Sequence, residues 1–80
     1  MYYVYLIRSY HSPKQQYVGY TTNFKNRLQE HNTKKSLHTS KYAPWELEVC
    51  IAFKNKEKAL NFEKYLKSGS GWTFANKRFW

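Results

Sequence analysis

Two tyrosine-bearing triplets, Tyr3-Val4-Tyr5 and Tyr17-Val18-Gly19, stand just before a basic stretch that carries Arg27 and His31. Phenols, a guanidinium and an imidazole are groups that can converge on a phosphate. A guanidinium binds phosphate through its planar fork of donors. An imidazole exchanges protons near neutral pH, and a phenol can donate to or accept from water. The part missing from that set is a carboxylate able to hold a metal.

The acids narrow the search. The chain has five, Glu30, Glu46, Glu48, Glu57 and Glu63, and no Asp. Phosphodiester chemistry built on several aspartates around two metals therefore has no ligands here. Structural zinc is disfavoured too, because Cys50 and the scattered His11, His31 and His38 lack a zinc spacing. Glu46 and Glu48 fall on one face of a strand pattern, which reads as a solvated pair rather than a glycosidase dyad. Glu57 opens a helix, where its charge suits the dipole.

Glu63 is different. With Ala59 at 0° and about 100° per residue, Leu66 falls near −20°, Phe62 near −60°, Leu60 near 100° and Glu63 near 40°. The carboxylate thus lies inside an apolar arc, where burial is costly unless a positive group meets it. An i, i+4 pair with Lys67 would let it lean outward instead. Helix geometry leaves both arrangements open.

The elements that must position these groups can be read in order. Met1 to Ile7 is aromatic and branched, the pattern of a buried central strand. His11 to Lys14 is a polar connection with Pro13 as turn residue. Gln16 to Tyr20 resumes a strand, so the two form an antiparallel hairpin. Thr22 or Asn23 caps a helix to about Asn32. With Phe24 as the origin and about 100° per residue, Leu28 lies at about 40°, His31 at about −20° and Arg27 at about −60°. Both ionisable residues therefore lie on or beside the face that meets the sheet. Thr33 to Pro44 is a basic polar loop. Trp45 to Phe53 is a third strand, with Trp45, Leu47 and Val49 expected on one side. Asn55 caps a second helix to about Lys67, which Ser68-Gly69-Ser70-Gly71 ends. Trp72 to Trp80 is an aromatic, basic tail with at most a short helical turn.

Eighty residues make one domain, 1–80, near the low end of what folds alone. Its aromatic content of 20% offers the large side chains that a small core needs. Fourteen Lys and Arg against five acids give a net charge of +9, which attracts polyanions by counterion release. Cys50 has no intrachain partner and reads as a buried structural thiol. The chain opens directly on a strand pattern, and no window has the apolar length of a membrane span. These features lead us to expect a cytoplasmic protein with no membrane contact.

The ordered set Tyr5, Tyr17, Gly19, Arg27, His31 and Glu63 resembles the GIY-YIG endonuclease superfamily. His38-Thr39-Ser40-Lys41-Tyr42, Pro44-Trp45-Glu46-Leu47 and Phe62 through Gly71 extend the likeness to its small single-domain bacterial members. Those members are similar to the nuclease domain of the nucleotide excision repair incision subunit. The resemblance covers nearly the whole chain. It departs at Tyr3, where the superfamily name implies Gly, and the family's late asparagine is matched only loosely by Asn76.

The resemblance implies an α+β fold, a small three-stranded antiparallel sheet flanked by helices. The implied order is β-β-α-β-α plus a short tail, which the residue pattern also gives. It implies a metal-dependent DNA endonuclease, structure-directed or weakly sequence-specific, working in repair, recombination or turnover. Glu63 would hold one Mg²⁺ or Mn²⁺, and Arg27 the phosphate. Tyr5 is favoured as the phenol that activates water, with His31 as its proton acceptor and Tyr17 positioning the water. The two tyrosines can trade roles. A free phenol is only about one part in a thousand ionised at neutral pH, so this base needs a lowered pKa. Lys34, Lys35, Lys41, Lys64, Lys67 and Lys77 are expected to give a sequence-independent footprint on phosphates. Trp45, Trp72 and Trp80 are candidates for base stacking or for core packing. Nothing in the motif reads a 2′-OH, so RNA fits as well as DNA. Specificity would come from DNA shape, a protein partner or a second copy. The competing readings are a catalytically silent nucleic-acid-binding module and an assembly protein docking through its tail.

Overall fold

The computed structural model describes residues 1–33 and 39–80. Strands β1 (Tyr2–Ser9) and β2 (Gln16–Thr21) are followed by helix α1 (Phe24–Asn32) and a 3₁₀ turn (Ser40–Tyr42). Strand β3 (Trp45–Phe53) and helices α2 (Lys56–Leu66) and α3 (Gly69–Arg78) complete the chain. The sheet is antiparallel with order β2-β1-β3. This is the expected α+β architecture with the first strand central.

The position of β1 explains its composition. Val4, Tyr5, Leu6 and Ile7 are all fully buried, which demands cover on both faces of the sheet. Val4 and Leu6 pack with Ala59 and Leu66 of α2 and Ala75 of α3. Tyr5 and Ile7 point the other way and pack with Trp45, Tyr17, Phe24 and Leu28. The strand alternation thus divides the core in two, and the candidate site belongs to the second half.

Three local devices set the frame. Asn23 caps α1, its side chain accepting from the Asn26 amide at 3.1 Å, and Asn55 does the same for α2 from Lys58 at 2.9 Å. The side chain of Asn32, at the end of α1, accepts from the Trp45 amide and donates to the Trp45 carbonyl, the latter at 3.2 Å. That side-chain amide fastens the helix carrying His31 to the start of β3. Asn32→Ala should cost about 1–2 kcal/mol, read as a lower urea midpoint with an unchanged slope.

Strand β3 departs from simple alternation. Leu6 pairs with Val49 but Ile7 pairs with Leu47, so Glu48 is an extra residue in a bulge. One inserted residue flips the facing of everything before it. Trp45 therefore packs with Tyr5 and Ile7, while Val49 joins the opposite cluster, and Leu47 is left exposed. The expectation that Trp45, Leu47 and Val49 share one side fails at this bulge. Cys50 is partly buried rather than enclosed.

The tail also departs from expectation, being a ten-residue helix. Ser68-Gly69-Ser70-Gly71 ends α2 and also starts α3: the Ser68 hydroxyl accepts from the Gly71 amide at 3.2 Å. Glycine is required at position 71, because a Cβ there would strike the Tyr65 carbonyl. The two helices can therefore turn tightly, and Phe74, Phe79 and Trp80 close over the Val4–Leu6 side of the core. Among the described residues, no helix is long and apolar enough to cross a membrane.

Candidate active site

Tyr5 lies at the centre of the site. Its position on β1 faces it toward α1, opposite Gly19 of β2. A Cβ at Gly19 would fall on the Tyr5 phenol, so the ring passes directly over the glycine backbone. The last residue of the second triplet is glycine for this reason: it provides the space the Tyr5 phenol occupies.

The phenol oxygen is 2.9 Å from Nε2 of His31, which α1 delivers to the sheet with only 3% of its surface exposed. Nδ1 of the same ring is 2.7 Å from the Thr39 hydroxyl oxygen. Thr39 is buried, and its carbonyl accepts from the Trp45 indole N–H at 2.9 Å. Tyr5, His31 and Thr39 form one buried polar chain, and no buried side-chain polar atom among the described residues lacks a partner.

Tyr17 pairs with Ile7 across the strands and so shares the Tyr5 face. Its ring stacks on Tyr5 with centroids 6.2 Å apart and lies 5.0 Å from the His31 ring. Unlike Tyr5, it retains exposed surface. It is a wall of two open concavities, about 430 Å³ toward α2 and α3 and about 310 Å³ toward the 3₁₀ turn.

The charged groups ring these phenols. Arg27 sits at the margin of α1, exposed and paired with Glu30 at 3.2 Å. Glu63 realises both arrangements left open by its helical angle. It pairs with Lys67 at 2.8 Å, yet its side chain is only 22% exposed and its charge reaches Tyr5. Lys67 in turn holds its ammonium 6.0 Å over the Tyr17 ring.

The electrostatics of the pair are opposite to what a ready-made phenolate needs. Burial, with Tyr17 second, drives the Tyr5 phenol well above the usual tyrosine range, and Arg27 only partly opposes it. Burial and the Arg27 charge lower the His31 pKa below its ordinary 6.5. The imidazole is therefore neutral at pH 7 and able to accept a proton. Linkage gives a stability consequence. The unfolded chain takes up a proton near pH 6.5 while folded His31 still refuses it, so stability is lost as pH falls from about 6.5 through the lower folded value. Thermal melts should show this loss in the wild type and less of it in His31→Gln.

The remaining expected residues fall as follows. Lys41 is exposed beside the smaller concavity, its ammonium 5.6 Å over Tyr42. Lys64 and Lys77 are exposed on α2 and α3. Asn76 is exposed on α3. Lys34 and Lys35 lie outside the described residues, as does His38. Trp45 is core. Thr39 is a member of the site that its residue type does not announce, since a threonine in a loop already rich in Ser and Thr carries no local signal.

For a divalent ion, the described residues offer no group of three His, Cys, Asp or Glu ligands. Of the ion-paired carboxylates Glu63 is the most enclosed, 22% exposed against 33% for Glu48 and 42% for Glu30, and its pair partner Lys67 lines the larger concavity. That donor set fits a hard ion that keeps most of its water, as Mg²⁺ does, and fits poorly an ion that needs a full protein cage.

Comparison with known proteins places the chain in a family. Residues 1–75 match the GIY-YIG catalytic domain. The chain is 40% identical to the structure-specific endonuclease subunit SLX1 of Debaryomyces hansenii, over 80% of this chain and 20% of that one. It is 37% identical to a Giardia intestinalis homologue of that subunit, over 76% of this chain and 18% of that one. The chain thus corresponds to about a fifth of the length of these relatives. Nucleases of the matched family generally depend on a divalent metal. With the match running across residues 1–75, the chain belongs to the GIY-YIG catalytic-domain family.

Proposed function

We propose that this chain, acting as one unit over residues 1–80, is a metal-dependent endonuclease that hydrolyses DNA phosphodiester bonds. The observation that carries the reading is the buried 2.9 Å link between Tyr5 and a neutral His31, set behind a phenol that faces open grooves. We take cleavage to be directed by DNA structure or weakly by sequence, in repair, recombination or turnover. The relatives are structure-specific endonuclease subunits by name, which supports both that mode and a protein partner that supplies specificity.

Burial redistributes the tyrosine roles. Tyr5 has no exposed surface and holds its proton firmly, so it suits relay rather than direct contact with water. Tyr17 takes the position facing the attacking water. We take the water proton to leave from beside Tyr17 toward the buried Tyr5–His31 pair, Tyr5 accepting one proton as it passes its own on. It ends on Nε2 of His31. The relay uses the tautomer in which Nδ1–H donates to the Thr39 hydroxyl and Nε2 is the acceptor. The resulting hydroxide attacks phosphorus, the bond to the leaving oxygen breaks, and that oxygen takes its proton from solvent. Arg27 gives its Nε–H to Glu30 and also hydrogen-bonds toward the Tyr5 phenol, and its remaining donors would take the phosphate. Glu63, released from Lys67, would hold one Mg²⁺ or Mn²⁺, which when bound supplies positive charge to the phosphate oxygens. Lys41, Lys64, Lys67 and Lys77, with Lys34 and Lys35, supply sequence-independent phosphate contacts.

The test is incubation with plasmid, branched and single-stranded DNA, and the RNA equivalents, under Mg²⁺ and Mn²⁺. Cleavage that chelation abolishes supports the reading. Salt-sensitive binding without cleavage on every substrate would make the chain a silent binding module instead.

A further inference from the structure

The larger groove has a feature that hydrolysis at Tyr17 does not use. It lies between β2 and the α2–α3 pair, and Tyr17, Lys67, Trp72 and Trp80 are among its walls. Trp72 leaves 60% of its surface in water, a large exposure for an indole in so small a protein. Trp80 is the opposite case and is pinned in place. The Arg8 guanidinium lies 5.3 Å over its ring, and its amide donates to the Ala75 carbonyl at 3.0 Å. The groove therefore has one fixed aromatic wall, one exposed aromatic face and an ammonium between them and the candidate active site.

We propose that this groove is a nucleobase subsite, in which an unpaired base of the strand under cleavage stacks on Trp72 while Lys67 meets the adjoining phosphate. The proposal rests on the nuclease reading above and adds to it. Three observations select this occupant. The groove is continuous with the active site, because Tyr17 is a wall of both. Its cation stands at the active-site end, and the chain carries +9 overall, so an anionic strand is favoured over an apolar peptide. Its volume of about 430 Å³ has the scale of a small-molecule pocket and cannot admit a duplex. Aromatic faces accept any base, so such a subsite reads single-strandedness rather than sequence. It would give an eighty-residue domain a preference for DNA structure without a second reading domain.

The measurement is binding, followed in a cleavage-deficient Glu63→Gln background. The probes are a duplex with a single-stranded arm carrying 2-aminopurine next to the junction, and the fully paired duplex. In the Trp72-intact protein the 2-aminopurine fluorescence should be quenched. Trp72→Ala should abolish the quench and weaken binding of the armed probe about 5- to 150-fold, the range that stacking one base contributes, with the paired duplex unchanged. Trp72→Phe should restore most of the affinity. An equal loss on both probes, or no loss on either, overturns the subsite. So does a change of oligomeric state in Trp72→Ala by sedimentation, which would make the groove an interface between copies. Because the readout is binding, the two readings fail separately. An unchanged Trp72→Ala beside active wild-type cleavage removes only the subsite, and a Trp72-dependent quench in a protein whose wild type cleaves nothing removes only the nuclease.

Discussion

Glu63→Gln is expected to lower cleavage by at least about 10³-fold while leaving the fold and DNA affinity in place. The magnitude follows from what the residue would do. Its charge acts on the Tyr5 phenol, and no cluster of acidic and His or Cys groups among the described residues can replace it. Removing one preorganised electrostatic element of a transition state costs about 10²–10³ in rate, and removing a member of a set that acts as a unit costs more. Stability should barely move. The Glu63–Lys67 pair is an i, i+4 ion pair whose lysine is 53% exposed, and such pairs contribute only about 0.3–0.5 kcal/mol. DNA affinity should hold or rise slightly, because the substitution removes a negative charge and frees Lys67. The measurement is single-turnover cleavage of a branched substrate under Mg²⁺ and Mn²⁺, with binding and thermal melts on the same samples. Equal rates for wild type and variant would sink the catalytic role and leave the binding module. Chelation should reproduce the variant in the wild type.

Gly19→Ala is expected to be nearly as damaging by a different route. The added methyl falls on the Tyr5 phenol, and Tyr5 is fully buried between Tyr17, Phe24 and His31, so its ring has nowhere to retreat. Overpacking of this kind costs about 1–3 kcal/mol. In a domain of this size that corresponds to a Tm lower by roughly 8–16 °C for a 2 kcal/mol change. Any shift that relieves the clash also lengthens the Tyr5–His31 hydrogen bond, so activity should fall in the fraction that remains folded. Calorimetry gives the first effect, and cleavage well below the lowered Tm gives the second. A Gly69→Ala control should be mild, since nothing lies within 4 Å of a Cβ there. Equal stability of Gly19→Ala and wild type would mean that the phenol does not cross the glycine.

What the sequence alone determined is largely local. The unbroken apolar run of β1 required two-sided burial, and the central strand has it. Asn23 and Asn55 cap the helices because a short side-chain amide can reach the first free backbone N–H groups, a preference that acts within one turn. The angular positions around each helix placed His31 against the sheet and gave Glu63 its half-enclosed place, because 3.6 residues per turn fixes which side chains share a face.

What only the tertiary structure decided depends on distances between segments. A single inserted residue at Glu48 turned Trp45 to the other face of β3, and no alternation within the strand announces a bulge. Ser68 through Gly71 carries stop signals for one helix that are also start signals for the next, and only the close approach of Gly71 to Tyr65 selects a full helix over a tail. Tyr5 and His31 are 26 positions apart, and their hydrogen bond exists because Gly19 leaves room for the phenol between them. Burial then set the chemistry: it raises the Tyr5 pKa, keeps His31 neutral, and leaves Tyr17 as the accessible phenol. Residue types name the groups available for catalysis, but their ionisation and access follow from packing across β1, β2 and α1, which no local pattern encodes.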